Sequence, residues 1–273
     1  MISRFYFVGT VGIVALLLSG CGSSSSSADG QELATDSITV GVTSGVHEEI
    51  LEKVTEVAAR DGLEITLEVF SDFIIPNTAL AEGEIDANSY QNTPFLDNYN
   101  QNNDDSLAGL DQTVLNPMGV YSNKIETLDD LEDGDTIGIP SDPTNSARAL
   151  MLFESSGIIT LHEGVGAEAT SNDIAENPKN IKFIELDSAQ IAKQLDDVDA
   201  SAINTSYAIK NDLNPSEDAI FQEKEDSIWA NIIVVRDENK DDPVVQKLIN
   251  AYHSDEVKEF VIEHFEGSVL PTW

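Results

Sequence analysis

The chain has 273 residues and sets 50 aspartates and glutamates against 14 lysines and arginines, a formal net charge of −36. Such a surface repels nucleic acid and anionic lipid, so no nucleic-acid partner is expected, and a strongly hydrated coat is the simplest reading of the charge. Cys21 is the only cysteine, which excludes an internal disulfide, and a chain of this length suits two α/β lobes better than one small domain.

At the amino end, Arg4 precedes an uncharged apolar run from Phe5 to Leu18, followed by Leu18-Ser19-Gly20-Cys21. A positive start, a short apolar run and small residues at the cut are the order of a secretory signal peptide, here residues 1–20. The run is about 14 residues, short of the roughly 20 that a spanning helix needs. Cys directly after small residues resembles the bacterial lipobox. The Cys21 thiol is therefore expected to be acylated and to become the first residue after cleavage. Residues 21–36 follow as a linker, with five serines in succession from Ser23 to Ser27. The stretch has too few apolar residues to offset the entropy of ordering, and it reads as a flexible leash.

The folded part is expected from Ser37 to Trp273. Ser37–Val42 reads as a β-branched strand, and Val46, Ile50, Leu51, Val54, Val57 and Ala58 recur at helical spacing. Leu63, Ile65, Leu67 and Val69 alternate with polar residues as a strand does. Thr113–Ser122 and Asp135–Pro140 read as strands, followed by a helix from about Asn145 to Ser156. Ile181–Leu186, Ala200–Thr205 and Trp229–Arg236 read as further strands, and Val244–Phe265 as helical. Strands alternating with helices predict an α/β fold with mostly parallel sheets. The natural arrangement is two lobes joined by a hinge, with an interlobe cleft. Lobe 1 takes residues 37–120 and 229–273, and lobe 2 takes 121–228. Ligands of open α/β sheets bind outside the carboxyl ends of strands, and a hinged cleft can close on a small molecule.

Three clusters could hold that molecule. In the first, Thr144 or Asn145 can cap the helix after Pro140, whose free N–H groups favour an anion. Arg148 lies on its first turn. Its guanidinium suits a carboxylate ligand, and a surface ion pair with one of the 50 acids fits the same spacing. In the second, Phe73, Tyr90 and Phe95 stand among amides and suit either a pocket wall or an ordinary core. In the third, Asn204 and Asn231 stand at strand ends or lobe crossings, where an amide serves a zwitterion or simply a turn. His47, His162, His253 and His264 have no ligand or triad spacing and read as structural. Gly-x-Ser-x-Gly, Gly-x-Gly-x-x-Gly and the phosphate-loop pattern are absent, and no metal-ligand cluster occurs. No metal, cofactor or catalytic residue is expected, and the chain reads as a binder and not an enzyme.

Several blocks then occur in a specific order: Phe70-Ser-Asp-Phe-Ile-Ile-Pro-Asn-Thr-Ala-Leu80, Asp86-Ala-Asn-Ser-Tyr-Gln91, Ser141-Asp-Pro-Thr-Asn-Ser-Ala-Arg-Ala-Leu150, Asp173-Ile-Ala-Glu-Asn-Pro-Lys-Asn180, Val198-Asp-Ala-Ser-Ala-Ile-Asn204 and Ala230-Asn-Ile-Ile-Val234. On these the chain resembles the MetQ/NlpA family of methionine-binding lipoproteins, with class II periplasmic-binding-protein architecture. The resemblance spans about Ile38 to Pro271. It implies a lipid-anchored receptor on the extracytoplasmic face of the cell membrane, delivering methionine to an ABC permease and its ATPase. Arg148 would hold the ligand carboxylate, Asn204 and Asn231 the carboxylate and amino groups, and Phe73, Tyr90 and Phe95 the side chain. Another apolar amino acid or a methionine-containing dipeptide is the alternative ligand, and a surface enzyme or adhesin on the same fold is the rival class.

Overall fold

Strand β1 (Ser37–Thr43) rises into Gly45, whose φ of 93° is open to glycine and strained for other residues. That turn starts α1 (Val46–Arg60), which buries Val46, Ile50, Leu51, Val54 and Ala58 on one stripe. Strand β2 (Glu64–Phe70) pairs parallel with β1, Ile38 opposite Ile65. This is the strand–helix–strand unit that the periodicity predicts. The structure, a computed structural model, describes residues 32–103, 106–224 and 228–273. The expected signal peptide and Cys21 lie outside the described residues. The expected leash is already tied down near its end: Leu33 N–H donates to Asp242 Oδ2 at 2.9 Å, and Lys247 Nζ donates to the Thr35 carbonyl at 2.6 Å.

The chain continues through α2 (Ile75–Ala81), β3 (Ala87–Asn92), α3 (Thr93–Asn103), β4 (Leu107–Gln112) and β5 (Val114–Leu115). Next come β6 (Gly119–Tyr121), β7 (Thr136–Pro140), α4 (Pro143–Ser155), β8 (Thr160–Leu161) and β9 (Ile174–Glu176). After these follow β10 (Lys182–Leu186), β11 (Ala200–Ile203), α5 (Thr205–Lys210) and β12 (Phe221–Gln222). The chain ends with β13 (Asn231–Arg236), α6 (Pro243–Tyr252), α7 (Asp255–His264) and β14 (Leu270–Pro271).

Two five-stranded sheets result, in the orders β2-β1-β3-β13-β4 and β10-β7-β11-β6-β12. Each is mixed. In the first, β1 runs parallel to β2 and β3, while β13 is antiparallel to β3 and β4. In the second, β7 runs parallel to β10 and β11, while β6 is antiparallel to β11 and β12. The chain passes between sheets twice, at Asn116–Met118 and between Gln222 and Asn231. Val120 lies within the second sheet, so the first passage comes slightly earlier than the sequence boundary.

Each sheet has its own core. The first packs α1, α6 and α7 through Ile50, Leu51, Val54, Leu248, Tyr252 and Val261. The second packs α4 through Leu150, Leu152 and Phe153. A separate apolar cluster joins Phe73 and Tyr90 to Tyr121, Ile203 and Tyr207, so side chains of both sheets meet over the ends of the strands. Among the described residues, no helix is long and apolar enough to cross a membrane.

Candidate functional site

Strand ends and helix starts converge on one cavity of about 380 Å³, counted with its open mouth. From the first sheet come Tyr90 on β3 and Asn231 on β13, with Phe73 just before α2, Phe95 on α3 and His47 from the first turn of α1. From the second come Arg148 and Asn145 on α4 and Asn204 at the end of β11. Asn116, on the first passage between sheets, closes the floor. All six side chains singled out in the sequence line this one cavity. His47, Asn116 and Asn145 were not singled out as ligand contacts, because each stands in a segment whose pattern has another explanation. His47 lies on an amphipathic helix, Asn116 in a run that reads as continuous strand, and Asn145 at an expected cap.

The aromatic wall is continuous. Phe73 and Tyr90 are stacked with centroids 6.1 Å apart, and Tyr90 meets Phe95 edge-on at 6.0 Å. Tyr207 leans on Phe73 from behind at 4.7 Å. Tyr90 donates its hydroxyl hydrogen to the Phe73 carbonyl at 3.0 Å, which pins the two rings together. Burial pushes the Tyr90 phenol well above its ordinary range, so this wall carries no charge.

The opposite side is polar. The helix carrying Arg148 starts at Asp142, whose carboxylate accepts from the Asn145 N–H at 2.9 Å, so the cap is Asp142 and not Thr144 or Asn145. Pro143 supplies the fixed φ suited to a first turn. Arg148 is only 4% exposed. It does form an ion pair with one of the chain's own acids, but inside the cavity wall and not on the surface. Its Nε donates to Glu223 Oε1 at 3.1 Å and its Nη2 to Glu223 Oε2 at 2.5 Å. The same Nη2 donates to the Asn116 carbonyl at 2.9 Å, and the guanidinium lies 5.2 Å from the centre of the Trp229 ring. One edge of the guanidinium fork, Nε and Nη2, is thus occupied from within the chain.

Between the two sides lie the amides. Asn204 Nδ2 donates to Asn145 Oδ1 at 2.8 Å, Asn116 Nδ2 to Asn231 Oδ1 at 2.9 Å, and Asn231 Nδ2 to the Tyr90 carbonyl at 2.7 Å. Asn116 Oδ1, Asn204 Oδ1 and His47 Nδ1 are buried without a hydrogen-bond partner. Desolvation lowers the His47 pKa to about 4, so the ring is neutral at pH 7. The site thus offers an uncharged apolar wall, one internally neutralised cation, and acceptors waiting for a donor.

The NlpA lipoprotein family model matches residues 38–273. The chain belongs to the NlpA lipoprotein family. Its relatives include the D-methionine-binding lipoprotein MetQ of Salmonella typhimurium, 40% identical over 272 residues, which are 98% of this chain and 97% of that one. The Escherichia coli protein of the same name is 39% identical over the same shares. Among solved structures, a nutrient-binding protein from Burkholderia cenocepacia bound to methionine is 43% identical with a TM-score of 0.85, covering 86% of this chain and 100% of that one. A periplasmic substrate-binding protein of an ABC transporter from Coxiella burnetii is 40% identical with a TM-score of 0.84, covering 86% and 100%. The two-lobe α/β architecture read from the sequence is the architecture of these family members.

Proposed function

We propose that this NlpA-family chain is the solute receptor of an ABC importer, that its ligand is methionine, and that it binds without catalysis. The observation that carries the reading is the single cavity that joins an uncharged aromatic wall to a buried guanidinium and unpartnered amide oxygens. An amino acid with a flexible apolar side chain has the matching halves. Sulfur over aromatic edges adds roughly 0.3–1.5 kcal/mol per contact beyond shape. The relatives whose names or bound ligand include methionine support the same choice. In this reading Arg148 meets the carboxylate, Asn204 and Asn231 line the head group, and Phe73, Tyr90 and Phe95 enclose the thioether. The two passages between sheets serve as the hinge between the two lobes, with the first lobe boundary just before β6 and not within it at Val120.

The partners follow from the role: an ABC permease with its ATPase, and a membrane reached by acyl chains on Cys21. Detergent phase partitioning tests the anchor. The full-length protein made in a bacterium should enter the detergent phase, and Cys21→Ser should leave it; an aqueous wild-type protein overturns the lipoprotein reading. For the ligand, thermal shift against the twenty amino acids and both methionine enantiomers is decisive. A ligand that binds only the native state stabilises by about 2.7 kcal/mol at a hundredfold excess over Kd. Methionine should give the largest rise. A larger rise with leucine or glutamine would replace methionine as the ligand.

A further inference from the structure

Neighbouring residues of one segment can face different spaces, and the point where the lining changes over marks a partition between them. Phe73 lines the ligand cavity, while Ser71 and Asp72 just before it line a second, open groove of about 760 Å³, counted with its mouth. Thr205 and Ser206 line the cavity, while Lys210 and Asn211 further along the same segment line the groove. On both segments the changeover falls at one pair of rings. Phe73 and Tyr207 are both buried and meet with centroids 4.7 Å apart, tilted by 45°. Such a tilted pair packs favourably beyond the area it buries.

The two rings belong to different lobes. Phe73 follows β2 of the first sheet, and Tyr207 sits on α5, directly after β11 of the second. Helix α5 is held against the first lobe at a further point: Lys210, one turn beyond Tyr207, donates from Nζ to Ser44 Oγ at 2.6 Å. Thr205, at its start, donates to the Pro117 carbonyl on the first passage between sheets. A wall with one ring on each lobe is complete only while the lobes are together, and hinge opening parts it. The Tyr207 hydroxyl is buried without a hydrogen-bond partner, so the ring contributes bulk and no polar recognition. Burial, and then the carboxylates of Asp72 and Asp187 on the groove side, raise its phenol above the ordinary range, so the wall is uncharged here too.

We propose that Phe73 and Tyr207 form a door across the apolar end of the ligand cavity, and that Tyr207 sets the longest side chain on which the lobes can close. The ligands admitted are amino acids whose unbranched apolar or thioether side chain stops at this door. A longer chain has to thread it and enter the groove beyond. The proposal rests on the amino-acid reading of the site and adds to it a specificity-determining residue outside the cavity lining.

Calorimetry on the full chain tests this with two ligands: methionine, and S-hexylhomocysteine, which keeps the head group and the thioether and lengthens only the alkyl chain. The wild-type protein should bind the long ligand at least about a hundredfold more weakly, since one surplus methylene in an apolar pocket already costs roughly 10–200-fold. Tyr207→Ala should strengthen binding of the long ligand by about tenfold or more and leave methionine equal or weaker, so the ratio between the two narrows. Tyr207→Phe keeps the ring and should keep the wild-type ratio. Removing a buried ring leaves a void, so Tyr207→Leu, which fills part of the space and stops short of Phe73, carries the same expectation if the alanine variant does not fold. A ring that only supports the fold or strengthens closure would shift both ligands alike, and an unchanged ratio in these variants overturns the proposal. So does equal binding of the two ligands by the wild-type protein, a comparison that needs no variant. If methionine binds and the ratio stays fixed, the receptor reading stands and the door alone falls. If no amino acid binds the wild-type protein, both fall.

Discussion

His47 is a helix-start residue that desolvation holds neutral, with a pKa near 4 against an ordinary 6.5. A depressed base is stabilising in its neutral form, above the unfolded pKa. That contribution is lost as pH falls from about 6.5 toward 4, because the unfolded chain takes up the proton first. The linkage amounts to roughly 3 kcal/mol across that window. His47→Gln should therefore flatten the fall in unfolding free energy between pH 6.5 and 4, measured by urea denaturation at several pH values. A slope identical to wild type would mean that other groups set it. Arg148 and Glu223 make a second residue-scale prediction. Removing one partner of a buried ion pair strands the other charge, at a cost of about 3–5 kcal/mol. Arg148→Ala should thus lower the melting temperature as well as ligand affinity. Replacing both, as Arg148→Met with Glu223→Leu, should recover most of the stability and none of the affinity. A single variant with wild-type melting would show that the pair is not buried in solution.

At the scale of elements, β3 is the instructive case. Ala87-Asn-Ser-Tyr-Gln-Asn92 is buried at every position between β1 and β13, yet four of its six side chains carry amide or hydroxyl groups other than the phenol of Tyr90. Its amides close on one another: Asn88 Nδ2 donates to Asn77 Oδ1 at 2.9 Å, and Gln91 Nε2 to Asn88 Oδ1 at 2.8 Å. No apolar alternation announces such a strand, and α2 beside it, with Asn77 facing inward, was equally silent. The long helical stretch from Val244 was legible, but it breaks at His253, and Ser254 recaps it by accepting from the Val257 N–H at 3.3 Å. The run Thr113–Ser122 divides into β5 and β6 around Pro117, which has no N–H for a ladder. Within β6, a Cβ on Gly119 would come within 2.8 Å of the Tyr121 ring and hydroxyl, and Tyr121 is fully buried where the sheets meet. Gly119→Ala should therefore cost about 1–3 kcal/mol by displacing that ring, read as a lower urea midpoint. An unchanged midpoint would mean that the ring moves freely.

For the whole molecule, the net charge acts on stability alongside the core. A net charge of −36 repels itself in the compact state, and the repulsion is screened within about 10 Å at 0.1 M salt and about 3 Å at 1 M. The few exposed ion pairs act the other way. Glu256 is held near pKa 2 by Arg60 and Lys53, and salt weakens that cluster. Because acids outnumber cations 50 to 14, repulsion should win, and the melting temperature should rise as sodium chloride goes from low millimolar to molar. A fall would assign the larger role to the ion pairs.

Local pattern determined most of the α/β architecture. Strand β2 and helix α1 are written in apolar periodicity because each buries one face, and β1, β7, β11 and β13 as short apolar runs because they are buried at nearly every position. The pattern marked Arg148, the aromatics and the two asparagines only as candidates, and their parts in the proposed site came from the family resemblance. Which of them meet was decided only in three dimensions. Glu223 is 75 positions from Arg148, and Asn231 is 115 from Asn116. An amide's free end depends on the partner at its other end, and an arginine's free edge on the acid that occupies its fork. Those partners come from different sheets, so no local pattern encodes them, and the direction in which Asn116 and Asn204 turn their oxygens exists only in the assembled fold.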